Sequence, residues 1–162
     1  SNATQDLTFD VACSQDWMAP ITGLTGCPDT PALAVYGVWQ PFEGGVMVYF
    51  SETSEIYVMT NSDRRVQFFP DTFEEGMPDI DYGDLPESRF PARRGFGIVW
   101  EGLGGPESPL GWGLAQEIGY DSARQPAGRV SYTTFIQGPG ETVYAVTLVP
   151  GTGIGYWSQV AG

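Results

Sequence analysis

The chain of 162 residues contains no histidine, and its seven basic residues are all arginine. Without histidine, the Ser-His-Asp and Cys-His arrangements that activate a nucleophile are excluded. Without lysine, Schiff-base chemistry is excluded as well. No hydrophobic run reaches the roughly 18 residues that a membrane-spanning helix needs. A hydrolase with this sequence would therefore depend on carboxylates alone.

Cysteine is scarce, since Cys13 and Cys27 are the only two. A structural zinc site needs about four ligands, so two cysteines without histidine argue strongly against one. The segment between them is rich in Pro, Gly and Thr, which favours a disulfide closing a loop of about 15 residues. The alternative is a pair of free buried thiols. Because disulfides persist in oxidising compartments, we predict an extracytoplasmic protein, secreted or lipid-anchored at the cell surface.

Positive charge is also sparse: 20 acidic residues give a net charge of −13. Such a field repels phosphate backbones and anionic lipid, so we expect neither nucleic-acid binding nor membrane binding through a basic patch. Cations and neutral, hydroxyl-rich ligands remain. Residues 1–3, Ser-Asn-Ala, are typical of a cleaved tag remnant, and we expect a signal or anchor to precede the native sequence. A single domain is predicted for residues 4–162.

Glycine and proline are abundant, with 22 and 13 residues, and aromatic residues make up 14%. This composition favours short strands joined by tight turns. Alternating apolar residues predict a mainly β fold built from a duplicated antiparallel meander, each unit having three strands. The first repeat covers about 38–69 and the second about 117–160. Residues 70–116 form a central segment of loops and one or two short helices.

The duplication depends on three matches between the repeats. Gly45 matches Gly128, Tyr49 matches Tyr132, and the strand Ile56-Tyr57-Val58-Met59 matches Val143-Tyr144-Ala145-Val146. A single meander buries little apolar surface, so packing two copies together is physically reasonable. The alternative is that any two β-hairpins resemble each other at this level of detail.

The central segment predicts two short helices. Asp71 is followed three residues later by Glu74, a capping-box spacing that predicts one or two helical turns ending at Gly76. A second helix is predicted to begin near Pro91 and to end at Gly104-Gly105. Its apolar face has helical spacing and consists of Phe96, Val99, Trp100 and Leu103.

A resemblance to bacterial secreted proteins and lipoproteins is carried by the segments QPFEGGVM, IYVM, FFPDTF and RGFGIVW. The segment from Leu110 to Tyr132 reads LGWGLAQEIGYDSARQPAGRVSY and resembles the LGFP repeat of cell-wall-associated bacterial proteins. A Leu-Gly dipeptide, a nearby acidic residue and a following strand that opens with Gln and Gly recur in that repeat. The resemblance implies an envelope location and contact with the cell wall, and it implies no catalytic residue.

Negative charge is densest in the central segment, where seven carboxylates fall within 17 residues: Asp71, Glu74, Glu75, Asp79, Asp81, Asp84 and Glu87. Calcium takes six to eight oxygen ligands, and Asp79, Asp81 and Asp84 around the Gly83 bend predict a weak calcium site. The alternative is a solvated acidic loop that pairs with nearby arginines, namely Arg89, Arg93 and Arg94.

Aromatic side chains beside carboxylates and amides are typical of sugar-stacking sites. Trp39, Trp112 and Tyr120 are the candidate ligand-binding residues. Trp112 stands between Gly111 and Gly113, and glycines on both sides favour a loop that presents its ring. The alternative for each ring is packing between layers of the core.

Together these features predict a noncatalytic envelope module that binds or scaffolds, with a cell-wall polysaccharide or another surface protein as partner. The alternative is a carboxylate-dependent hydrolase of a wall polymer or glycan. A hydrolase needs a concave cleft with two converging acids, of which one has a pKa raised by burial. A binding module needs exposed aromatic rings and hydrogen-bonding groups.

Overall fold

The computed structural model describes residues 12–21 and 23–162, so the tag remnant predicted for residues 1–3 lies outside the described residues. The described residues form a mainly β fold, which confirms the predicted class. One α-helix, α1 (Arg94–Leu103), lies in the central segment and continues into a 3₁₀ turn at Gly105–Glu107. The strands are β1 (Leu33–Phe42), β2 (Gly45–Phe50), β3 (Glu55–Thr60), β4 (Arg65–Pro70), β5 (Ile118–Pro126), β6 (Thr133–Gln137), β7 (Val143–Val149) and β8 (Ile154–Ala161).

The eight strands form a closed antiparallel barrel in the order β1-β2-β3-β4-β8-β7-β6-β5. Each half of the chain contributes four consecutive strands, and the halves join where β1 pairs with β5 and β4 pairs with β8. The three-stranded units expected from the sequence are therefore too short, because β1 and β5 each precede them. Closure leaves no free sheet edge along most of the barrel, which is the usual solution to the edge-strand problem.

The residues that suggested a repeat occupy related but unequal places. Tyr57 lies in β3 and Tyr144 in β7, the third strand of each half, and both are buried. Tyr49 lies within β2, whereas Tyr132 comes just before β6. The matched segments thus lie in the third strand of each half, whereas Tyr49 and Tyr132 lie at different positions relative to β2 and β6.

Strand β3 is buried on both faces, which explains its continuous apolar run. Alternate side chains of a strand point to opposite faces of a sheet. Tyr57 and Met59 belong to the cluster that fills the barrel, whereas Ile56 and Val58 belong to the cluster between the outer wall and α1. The helix therefore covers the outside of the first half of the barrel.

Helix α1 buries the face that the sequence predicted, with Phe96, Val99 and Trp100 all inaccessible or nearly so. The helix ends at Gly104, which adopts the left-handed conformation at φ 116° and donates its N–H to Glu101. A glycine is favoured at this position because a side chain is strained there. The predicted C-terminus is confirmed, and the N-terminus begins at Arg94, three residues after Pro91.

The helix predicted from Asp71 to Gly76 is wrong, because this segment contains only a turn. Asp71 Oδ1 accepts a hydrogen bond from the N–H of Phe73 at 3.0 Å, only two residues along the chain. Such a local bond competes with helix formation. The carboxylate lies instead against Gly95, in the first turn of α1.

Cys13 and Cys27 form the predicted disulfide, with their Cα atoms 5.4 Å apart. The segment that carries them packs along β5, where the buried amide of Gln125 accepts a hydrogen bond from Met18 N at 2.8 Å and donates one to Thr30 O at 2.9 Å. A disulfide is compatible with an extracytoplasmic protein. Within residues 12–21 and 23–162, no helix has the length and hydropathy needed to cross a membrane.

Candidate functional site

A polar cleft of about 560 Å³ lies on the outer wall of the barrel, beside the first turn of α1. Tyr36, Val38 and Gln40 form one wall, because alternate residues of β1 share its outer face. We call this space the polar cleft. Its other walls include Asp79, Arg93, Arg94, Gln116 and Glu117.

Gln40 is the most unusual residue of the polar cleft, because its polar side chain is only 1% exposed. Its Nε2 donates to Pro91 O at 3.3 Å and to Ala115 O at 3.0 Å, which fixes the orientation of the amide. Its Oε1 is buried and has no hydrogen-bond partner among the described residues. Leaving a buried acceptor unpaired costs about 1–3 kcal/mol. Gln40 therefore lines the polar cleft with an amide whose acceptor is unpaired among the described residues.

The absence of a side chain at Gly113 makes room for this amide. A Cβ at Gly113 would lie 2.6 Å from Gln40 Nε2 and 2.7 Å from Phe90 O. Gly113 also exchanges backbone hydrogen bonds with Phe90 at 2.8 and 3.0 Å. The segment that leads to Glu117 is thereby held close to β1.

The acidic loop, residues 71–87, is tied to the N-terminus of α1 by Asp79. Its Oδ1 accepts a hydrogen bond from Arg94 N at 3.3 Å, and its Oδ2 lies 3.7 Å from Arg93 Nη1. Carboxylates at this end of a helix interact favourably with the helix dipole. Arg94 adopts φ 53°, a left-handed conformation that is strained for arginine. Among the described residues its guanidinium has no ion-pair partner.

Glu117 is the carboxylate whose protonation the cleft alters most. Burial raises the pKa of this half-buried side chain, and the positive charge of Arg94 partly opposes that rise. The negative charge of Asp79 raises the pKa further, Arg93 lowers it, and Asp71 raises it. Glu117 thus retains a proton to higher pH than an exposed glutamate does.

Tyr36 presents an exposed ring at the edge of the cleft, with 52% of the residue accessible. The ring lies over Gly119 on the neighbouring strand β5, since a Cβ at Gly119 would lie 2.9 Å from Tyr36 Cζ. An accessible ring held against a backbone provides a flat surface for stacking.

A second space of about 240 Å³ adjoins the polar cleft on the other side of the Asp79–Arg93 pair. We call it the apolar chamber. It shares Asp79, Arg93 and Arg94 with the polar cleft. Its remaining walls are mostly apolar and include Phe73, Met77, Pro78, Ile80, Tyr82 and Ile98.

The structure does not bring the three predicted ligand-binding residues into this cleft. Trp112 is half-buried on the outside of the barrel, where its ring centroid lies 5.6 Å from that of Trp100 and 6.2 Å from that of Tyr82. Trp39 packs against the cluster that fills the barrel. Tyr120 donates to Gln137 O at 2.7 Å, and burial raises its pKa to about 12.

The calcium site predicted from Asp79, Asp81 and Asp84 is not assembled. In the described part of the chain, no three acidic or cysteine side chains come together in a way that could hold a metal ion. Asp79 is engaged by α1, and Asp81 Oδ1 accepts a hydrogen bond from Gly83 N at 2.8 Å. The Asp81 carboxylate, which the sequence spacing predicted to bind a cation, therefore stabilises a local turn instead.

Comparisons with known proteins give no further constraint on the site. The chain matches no family model, no curated protein and no solved structure. Residues that sequence reasoning missed form most of the cleft, above all Tyr36, Gln40 and Glu117. The available signal was the alternation of β1, where Gln40 is a polar residue in an otherwise apolar strand.

Proposed function

We propose that this protein is a noncatalytic extracytoplasmic module that binds a neutral, hydroxyl-rich ligand, such as a cell-wall polysaccharide, in the polar cleft. The observation that carries this proposal is the buried Oε1 of Gln40, an acceptor with no donor among the described residues. A sugar hydroxyl is a donor of suitable size, and Arg94, which lines the same cleft, can donate to other sugar oxygens. Gln116 and Glu117 add further hydrogen-bonding groups.

Charge and surface chemistry favour a sugar over an ionic ligand. The net charge of −13 disfavours polyanions, and the two arginines in the cleft balance its two carboxylates, Asp79 and Glu117, so the cleft carries no excess negative charge to attract a cation. The exposed ring of Tyr36 fits the apolar face of a sugar ring. The resemblance of residues 110–132 to LGFP repeats supports contact with the cell wall, and the disulfide supports a secreted or lipid-anchored location. A surface protein remains the alternative partner for a scaffolding role.

A binding screen against peptidoglycan and soluble glycans, with and without calcium, tests the proposal. The Tyr36→Ala variant should bind any glycan identified in this screen about tenfold more weakly than the unmodified protein does, since one stacked ring is lost. Tyr156→Ala is the matched control, because Tyr156 is an exposed strand tyrosine, 46% accessible, on β8. Equal binding by the two variants, or no binding to any glycan by the unmodified protein, would contradict a glycan-binding cleft.

A second candidate function is a carboxylate-dependent glycan hydrolase, which the raised pKa of Glu117 favours. Glu117 lies in the same cleft as Asp79, and its raised pKa makes it suited to donating a proton. Asp79 is bound to Arg93 and to the backbone of α1, which suits a structural role better than that of a base. If the unmodified protein released reducing ends from a glycan and Glu117→Gln did not, the hydrolase would be favoured. If the unmodified protein left the glycan unchanged, binding alone would be favoured.

We further propose that the two halves of the barrel arose by duplication. The buried tyrosines Tyr57 and Tyr144, on the third strand of each half, support this origin. Each half also contributes four consecutive antiparallel strands. Swapping the two tyrosine-containing strands between the halves should preserve folding, as measured by circular dichroism and thermal melting, if the strands descend from one unit. Loss of folding in the swapped protein would argue against this origin.

A further inference from the structure

We infer that the sugar bound in the polar cleft carries an acyl group, and that the apolar chamber receives this group. This inference rests on the proposed binding function and narrows it to a class of ligand. The two spaces adjoin each other, since both are lined by Asp79, Arg93 and Arg94. A ligand that occupied only the polar cleft would leave the chamber beside it empty.

The chamber is too apolar for an unsubstituted sugar. Its walls include Met77, Ile80 and Ile98, which are 43%, 49% and 40% exposed. These side chains stand close together on the acidic loop and on the outer face of α1. Apolar side chains gathered beside a polar cleft mark a surface that a ligand covers. Covering them with the hydrocarbon part of an acyl group removes apolar surface from water on both sides.

The boundary between the two spaces fits the carbonyl of an acyl group. Arg93 Nη1 lies 3.7 Å from Asp79 Oδ2, and both side chains are about half exposed. A guanidinium has five N–H donors, so Arg93 can keep this ion pair and donate to an acyl oxygen. The polar part of the ligand then remains with Gln40 and Glu117, while its alkyl part enters the chamber.

The test is a titration with four sugars of similar size. These are cellobiose, which has no acyl group, and the β-1,4-linked glucosamine disaccharide carrying N-acetyl, N-propionyl or N-butyryl groups. We expect cellobiose to bind most weakly. Affinity should then rise up to about fourfold for each added methylene, the factor that corresponds to burying one CH₂. An affinity that stays flat across the N-acyl series would overturn the inference.

Variants separate the chamber from the cleft. Ile98→Thr keeps the branched shape but makes the chamber wall polar, so the increase per methylene should fall below about twofold while cellobiose binding stays unchanged. Val130→Thr is the matched control, because Val130 is 94% exposed and does not line the chamber. If affinity rose as steeply with acyl chain length in Ile98→Thr as in the unmodified protein, the inference would be overturned but the proposed function would remain intact. Absence of binding to all four sugars, with no effect of Tyr36→Ala on any glycan, would overturn both.

Discussion

Two glycines of α1 should respond in opposite ways to replacement by alanine. Gly102 is exposed near the end of the helix, and an added Cβ has no heavy atom within 4 Å. Its backbone has no left-handed φ, so alanine fits without strain. Because alanine loses less backbone entropy than glycine in a helix, Gly102→Ala should stabilise the fold by about 0.5–1 kcal/mol.

Gly95 gains the same helix propensity but meets the carboxylate of Asp71. An added Cβ would lie 2.8 Å from Asp71 Cγ and closer still to Oδ1. The carboxylate must then rotate away and give up its hydrogen bond from Phe73 N, at about 1.5–3 kcal/mol. It also loses about 0.3–1 kcal/mol of interaction with the helix dipole. After the gain of about 1 kcal/mol in propensity, Gly95→Ala should destabilise the fold by about 1–3 kcal/mol.

Urea unfolding of the single and double variants measures both effects. Replacing Asp71 with alanine removes the obstructing carboxylate, so Gly95→Ala should become neutral or stabilising in that background. In thermal melts, each kcal/mol should correspond to about 2–4 °C for a domain of this size. If Gly95→Ala were as stabilising as Gly102→Ala in the unmodified protein, the packing of Asp71 on α1 described above would be refuted.

Three further predictions concern other parts of the molecule. Reducing the Cys13–Cys27 disulfide should lower the unfolding free energy by about 3 kcal/mol, measured by urea unfolding with and without reductant, and an unchanged midpoint would contradict this. Burial raises the pKa of Glu117, so its contribution to stability is present below the unfolded-state pKa of 4.5 and is lost as pH rises through the folded-state pKa. The melting temperature of Glu117→Gln should therefore rise relative to that of the unmodified protein as the pH approaches 7. A difference in melting temperature that stays constant from pH 4 to 8 would disprove this. Trp112→Ala should cost about 3 kcal/mol through lost packing on Trp100, and melting at the normal temperature would refute that packing role.

Local patterns were sufficient for several elements whose stability comes from their own apolar side chains, although the apolar strand β1 was not predicted. Strand β3 and helix α1 are examples, because the spacing of Tyr57 and Met59, or of Phe96 and Trp100, already determines which face is buried. Strands β2 and β3 in the first half, and β6 and β7 in the second, were predicted for the same reason. In these segments the signal lies within a few residues of the chain.

Strand β5 was missed because its buried side chains are polar. Ser122 Oγ donates to Gln137 O at 2.6 Å, Arg124 Nη1 lies 2.6 Å from Glu52 Oε1, and Gln125 binds the segment near Cys13. Each polar group is compensated by a partner that is distant in sequence. The sequence of such a polar strand is typical of a loop, and its strand structure becomes evident only when its distant partners are known.

The polar cleft was unpredictable for a related reason. Gln40 comes from β1, Asp79 from the acidic loop, Arg94 from α1 and Glu117 from the approach to β5. Only barrel closure and the packing of α1 bring these residues together. The acidic loop was singled out by its charge as a candidate cation site, but Asp79 is engaged by α1, and among the described residues no three acidic side chains form a group that could hold a metal ion.

The way the barrel closes affects how the protein is made. Strands β1 to β4 leave the ribosome first, but β1 pairs with β5 and β4 with β8, in contacts such as Trp39 with Ile118 and Val66 with Gly155. Until the second half arrives, both edges of the first half expose unpaired backbone groups that can join other chains. Pairing between such distant segments also makes folding slow. Newly synthesised chains should therefore depend on chaperones that shield strand edges, and truncation before β8 should yield aggregates.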